Sequence, residues 1–325
     1  MTETAAPQAT HSRLEHMPVT FHAILMGLFG LTLALHAAAH HTPWTDALSL
    51  IMLWVGIGSF AVISGTYLLK ALRFPRAVVA EWHHPVKLAF FPTISISLLL
   101  TATAMMTPYP DVARVVWMIG AVAQGVLTLS VINGWISHRA FEVGHLNPAW
   151  FIPAVGNVVV PVAGAPLGFE EISWLFFSAG MIFWLVLLVL VFNRLIFHNP
   201  LPGKLFPTMV ILIAPPAIGF IAYMRLVGAL DTFAIMLINI AYVFAALVLF
   251  ELPKLRKLPF ALSWWALTFP VAALSIASFL YGGLRESAFH IALGQGVLIF
   301  LALVVGGLIL RTGLALARGE ICVPE

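Results

Sequence analysis

Apolar runs of about twenty residues, each bounded by charged or turn-forming residues, recur from Phe21 almost to the end of the chain. Ten are discerned, near residues 21–38, 47–69, 86–106, 112–136, 149–165, 172–193, 205–224, 232–250, 259–281 and 287–310. Lipid supplies no partner for a backbone amide, so runs of this length are expected to cross a bilayer as helices. The pattern predicts an all-α polytopic membrane protein with ten transmembrane helices paired into five helical hairpins. No polar stretch between the runs is long enough to bury a core of its own. One membrane domain is therefore expected over 21–310, between short tails at 1–20 and 311–325. The run from Phe21 lacks a small-residue cleavage site and is expected to remain as the first helix.

A second periodicity lies beneath the first. The even-numbered runs each begin at an acidic residue, Asp46, Asp111, Glu170, Asp231 and Glu286, at near-constant spacing. A carboxylate there can cap free amides and meets the positive end of the helix dipole. Four odd-numbered runs carry an interior proline in the same phase, Pro92, Pro153, Pro215 and Pro270, and Pro161 and Pro216 add further breaks. Proline removes a donor and clashes with the preceding turn, so each helix is expected to bend there. A single such proline need mean no more than packing. Four in phase predict a quasi-fivefold arrangement, with the bent members as an inner ring around a central pore and the straight members outside it.

The 325 residues are 61% hydrophobic and 9% charged, with a mean hydropathy of +1.02. Of 16 Lys and Arg, only Arg114, Arg225 and Arg285 fall on the face opposite the termini; Lys70, Arg139, Arg194, Lys254 and the rest share the terminal face. Basic residues concentrate on the cytoplasmic side of membrane proteins, so cytoplasmic termini and a plasma membrane location are expected. The net charge of +3 is thus a feature of topology, and no nucleic-acid partner is implied. One cysteine, Cys322, excludes an internal disulfide and a thiolate metal cluster.

No Lys, Arg, Asp or Glu falls in the central part of an odd-numbered run. Candidate lining or kink positions are Gly27, Asn157 and Thr268, with Pro92, Pro153, Pro161, Pro215, Pro216 and Pro270 at the breaks. Such a lining binds weakly and favours throughput. Lys87 and His22 stand at the expected inner mouth, although Lys87 reads first as an ordinary snorkelling anchor. His36 and His40 have the i, i+4 spacing of a metal pair, but no carboxylate or cysteine partner repeats nearby, and they read as interfacial side chains. No metal or cofactor is expected. No nucleophile–base pair, phosphate loop or zinc-protease pattern is present, so enzyme activity is not expected.

Trp264-Trp265-Ala-Leu-Thr268-Phe269-Pro270 resembles the ninth-helix motif of the slow-type anion channels of plant guard cells and of the bacterial tellurite-resistance TehA proteins, a family that also holds dicarboxylate and sulfite transporters. His84-Pro85-Val86-Lys87 and Asn147-Pro148-Ala-Trp150-Phe151-Ile-Pro153 resemble its entries to the third and fifth helices. The resemblance covers essentially all ten runs. It implies a homotrimer in a bacterial inner membrane, each protomer with its own pore ringed by five inner helices and occluded by a phenylalanine, here Phe269. Two departures stand out. Leu25 replaces a proline common in the first helix of the family, and the tails are too short for the kinase control of the plant members.

Together these features predict a gated passive channel for small monovalent anions such as chloride and nitrate, with membrane lipids and inorganic anions as partners. The alternative is a secondary carrier or exporter of dicarboxylate, sulfite or tellurite-like oxyanions.

Overall fold

The computed structural model describes residues 12–137 and 141–324; the tail before residue 12, His138 and Arg139 lie outside them. The helices run in chain order as α1 (His22–Ala38), α2 (Trp44–Arg73), α3 (Pro75–His83), α4 (Thr93–Met105), α5 (Pro110–Ser137), α6 (Phe151–Val155), α7 (Val160–Gly164), α8 (Glu170–Phe197), α9 (Ala214–Val227), α10 (Thr232–Leu255), α11 (Thr268–Leu284) and α12 (Ala288–Ala317). No strand occurs among the described residues. The molecule is an all-α polytopic membrane protein.

Nine helical segments among the described residues are long and apolar enough to cross a membrane. The remaining run, Pro148–Gly164, is shorter, but every residue in it is buried. It alternates 3-10 turns at Pro148–Trp150 and Gly156–Val159 with the short helices α6 and α7. A 3-10 turn rises about 2.0 Å per residue against about 1.5 Å in an α-helix, so this segment reaches further than its residue count suggests.

Burial divides the segments into two sets. In the four spans Val19–Ala38, Lys87–Met105, Phe206–Val227 and Leu262–Leu284, 72% to 78% of the residues in the most apolar window are buried, against 22% to 39% in α2, α5, α8, α10 and α12. The buried set, with Pro148–Gly164, packs in a closed order: α1 against α4, α4 against α7, α7 against α9, α9 against α11 and α11 against α1. The exposed set presents Leu, Ile, Val and Phe outward, as α-helices facing lipid must.

The prolines act differently from a mid-helix kink. The buried spans start as 3-10 turns, Val19–Phe21, Lys87–Phe90, Phe206–Ile213 and Leu262–Leu267, and become α-helical at or near the proline. Pro92 is the N-cap of α4, Pro215 and Pro216 lie in the first turn of α9, and Pro270 is the third residue of α11. At those positions the missing N–H has no helical partner to lose, so each break is a change of helix type with little lost bonding. The first span changes type in the same way without a proline at Leu25.

The straight helices extend beyond the expected apolar windows, α2 to Arg73, α8 to Phe197 and α12 to Ala317. Hydropathy marks the lipid-facing length, whereas the helices continue into the polar boundary on long basic side chains. α3 was not expected, because its nine residues carry no apolar run. Its Glu81 pairs with Lys70 at 3.1 Å, both nearly inaccessible to solvent. Tyr67 donates to the same carboxylate at 2.7 Å, and Lys70 donates to the Met17 carbonyl at 2.8 Å. This knot ties the segment before α1 to α2 and α3. The expected acidic caps are realised at Asp231, whose side chain accepts from the Ala234 amide at 2.9 Å. Asp46, Asp111 and Glu170 sit in the first turns of their helices, and Glu286 precedes α12 in left-handed backbone. Hydrogen bonds from Tyr223 and then from the Ala234 amide hold the Asp231 carboxyl below its usual range.

Removing one partner of the buried pair leaves the other charge uncompensated. Lys70→Met is therefore expected to destabilise the protein by about 3–5 kcal/mol, read as a lowered thermal midpoint in detergent. Lys70→Met with Glu81→Leu is expected to recover most of the loss; a double variant as unstable as the single one would contradict the pairing.

Candidate functional site

The ring of buried spans encloses two cavities in line. The first, about 50 Å³, is walled by all five members of the ring, with Met26 from α1, Phe90 and Thr93 around the start of α4, Phe151 and Val159, Pro215 from α9, and Trp265, Phe269 and Pro270. No charged side chain and no histidine lines it. Its one hydroxyl, on Thr93, donates to the Phe90 carbonyl at 2.5 Å. The second cavity, about 460 Å³, lies toward the face opposite the termini and is walled chiefly by the outward halves of α1, α4, α9 and α11. Phe269 and Ile218 line both. The half-buried Phe269 ring therefore stands at the boundary between the two spaces.

Local chemistry explains how Phe269 is held. Trp265 is almost fully buried and its indole N–H donates to Thr312 on α12 at 3.0 Å, pinning the 3-10 turn to the outer layer. Thr268 donates to the Trp265 carbonyl at 2.7 Å, closing the turn from which α11 starts. Trp264 donates to the Pro259 carbonyl at 3.1 Å. Phe269 follows directly, and Pro270 fixes the backbone after it. A similar device starts the other spans. The His84 imidazole accepts from the amides of Val86 and Lys87, and Asn147 accepts from the Ala149 amide at 2.9 Å.

The residues singled out in the sequence separate into two groups. Phe269, Pro215 and Pro270 line the first cavity together. Pro92, Pro153, Pro161 and Pro216 shape the walls without contributing to that lining. Asn157 turns away from it, donating to the Ala154 carbonyl and lying 3.2 Å from the Thr128 hydroxyl of α5. Gly27 and Thr268 face each other across the α1–α11 contact, where a Cβ on Gly27 would lie 2.6 Å from the Thr268 hydroxyl. His22 does not stand at a mouth: it is fully buried, with Nδ1 donating to the Val19 carbonyl at 3.1 Å and Nε2 accepting from Ser64 at 3.4 Å, edge-on to Tyr67. Lys87 begins the 3-10 turn that leads to α4 and lines neither cavity.

Two features went unseen in the sequence. Gln124, fully buried on α5, accepts from Ser95 on α4 at 2.7 Å and donates to the Pro153 carbonyl at 3.2 Å, which Thr128 also reaches at 2.8 Å. These bonds hold the broken fifth span against its neighbours. A polar amide in the middle of an apolar run was the signal that could have found them. His36, His40, His41 and Arg225 line the second cavity together, and Asp46 accepts from His36 Nδ1 at 3.2 Å. Among the described residues no group of three His, Cys, Asp or Glu is placed to hold a metal ion.

A family model described as voltage-dependent anion channel, SLAC1, matches residues 16–313. The chain is 30% identical over 242 residues to the S-type anion channel SLAH3 of Arabidopsis thaliana, covering 72% of this chain and 38% of the plant protein. It is 26% identical over 309 residues to the tellurite resistance protein TehA homolog of Haemophilus influenzae, covering 94% of this chain and 92% of that one. Similarity to the transporter MJ0762 of Methanocaldococcus jannaschii is 26% identity over 287 residues, 80% and 83% of the two chains.

The close approach at Gly27 leaves no room for a side chain. Gly27→Val is expected to force α1 off α11 and cost about 1–3 kcal/mol, seen as a lower thermal midpoint; an unchanged midpoint would contradict the packing role.

Proposed function

The chain belongs to the SLAC1 family of voltage-dependent anion channels, and from that premise we propose that it is a gated, passive channel for small monovalent anions, chloride and nitrate among them, occluded by Phe269. The observation that carries this reading is the position of that ring on the boundary of two cavities, one of them uncharged. An anion crossing there meets aromatic edges and aliphatic walls. A narrow apolar constriction empties of water and so stops ions without binding them, and moving or shrinking the ring opens it. With no fixed charge in the constriction, nothing holds the ion long once the way is clear.

The basic residues gathered on the terminal face favour a cytoplasmic side for both termini, and the family resemblance favours a homotrimer with one pore per protomer in a bacterial inner membrane. The five buried spans starting on that face direct their N-terminal dipole ends toward the inner mouth, which draws anions to it.

The names of two relatives, a transporter and a tellurite resistance protein, keep a carrier in view. A carrier binds its substrate at a site that alternates between faces. The first cavity lacks the ionisable groups that usually mark proton coupling in a membrane, which supports the channel.

Phe269→Ala is expected to raise anion current several-fold in planar bilayers, with a reversal potential that follows the chloride or nitrate gradient. Unchanged current in a variant with native thermal stability removes the ring from the gate. A reversal potential that moves with pH supports the carrier.

A further inference from the structure

The second cavity differs from the first in carrying charge, and its charge is of an unusual kind. His36 stands in the last turn of α1, and His40 and His41 follow on the turn after it, the His41 ring stacked on Phe279 at 5.9 Å. Arg225, in the last turn of α9, completes the set, and Thr103 of α4 and Thr107 on the turn after it add hydroxyls. No carboxylate is among the lining residues. All three imidazoles are solvent-exposed.

Helix direction makes these groups matter. The buried spans end at this vestibule, so their C-terminal carbonyls give the entrance a negative potential that opposes an anion. Cationic groups in the last turns offset it. Arg225 is a permanent charge, whereas imidazole changes charge between pH 5 and 8. Within a concave, low-dielectric wall, each added positive charge concentrates anions more strongly than it would on a convex surface.

We propose that this vestibule is an anion-collecting site set by protons, in which His36, His40, His41 and Arg225 attract small monovalent inorganic anions, and attract them more strongly when the imidazoles are protonated. The proposal rests on the channel reading and adds a second station to it, with its own ligand class and its own control. On the topology proposed above, the vestibule faces outside, so acidity outside increases anion entry.

The surroundings of the imidazoles allow this. From α2, Asp46 meets His36 and offsets one charge. α4 offers only hydroxyls to the vestibule and α9 offers Arg225; α11 offers no charged side chain to it, and Arg285 and Glu286 lie on the turn beyond its end. From α12, His290 is engaged by Ser287 at 2.8 Å and turned edge-on to Tyr281, and Gln295 reaches Thr42 at 3.4 Å. The three imidazoles and the Arg225 guanidinium are thus the ionisable groups that the lining itself contributes.

The test uses the full chain with Phe269→Ala in planar bilayers, nitrate as the probe anion, and a pH step from about 7.5 to about 5.5 on the side opposite the termini. The ratio of acid to neutral current carried by nitrate from that side is expected to rise several-fold, with the reversal potential unmoved. In the same background, His36→Gln with His40→Gln and His41→Gln is expected to bring the ratio close to one. His198→Gln, on the terminal face, should leave the ratio as in the parent. An acid response that survives in the triple variant, or that is missing in the parent, overturns the proposal. Absence of nitrate current from the parent at both pH values, or a reversal potential that tracks pH, overturns the channel reading on which it rests.

Discussion

A backbone amide inside a bilayer finds no partner but another part of the protein, and that constraint governs the whole molecule. Irregular backbone survives at membrane depth only under cover. Here every 3-10 turn that interrupts a spanning segment lies in the buried set, while α2, α5, α8, α10 and α12 stand at the lipid boundary as unbroken helices. The outer layer also supplies specific bonds to the inner one. Trp117 donates to the Val160 carbonyl at 2.9 Å, Ser49 to the Thr32 carbonyl at 3.0 Å, and Trp265 to Thr312 at 3.0 Å. Such interhelical bonds, with small residues where backbones approach, replace the hydrophobic effect that lipid cannot provide.

The cavities follow from the same arrangement. A ring of helices that change from 3-10 to α at one level does not close along its axis as parallel α-helices would. The lining is aromatic and aliphatic in the first cavity, and in the second an apolar wall carries His36, His40, His41 and Arg225. Phe269 stands where one becomes the other. Its position is framed by Trp265, Thr268 and Pro270, so the motif that is most distinctive in the sequence is also the support of that ring.

Much of this was legible in the chain itself. Apolar length disclosed most of the spanning segments, and Pro92, Pro153, Pro215 and Pro270 fall in segments that the structure buries, because both signals depend on local backbone chemistry. The fate of individual side chains depended on neighbours far away in sequence. Gly27 reads as a lining or kink position until Thr268 is placed opposite it, and His22 as a mouth residue until Ser64 and Tyr67 enclose it. Lys70 counted as a loop cation but is buried against Glu81 on a helix with no hydropathy signal. The histidines of α1 looked like interfacial scatter, since nothing local joins them to Arg225.

The central claim is that one continuous axial space exists and that residue 269 divides it. Cysteine accessibility in a Cys322→Ser background addresses it without reference to which ion is carried. Ala266→Cys lies on the terminal side of the ring, and Ile276→Cys lies in the vestibule. A membrane-impermeant thiol reagent is expected to modify Ala266→Cys only from the terminal face and Ile276→Cys only from the opposite face. Adding Phe269→Ala should let the reagent reach both from either side. Modification of both positions from one face with Phe269 intact, or of neither in any background, would contradict the account.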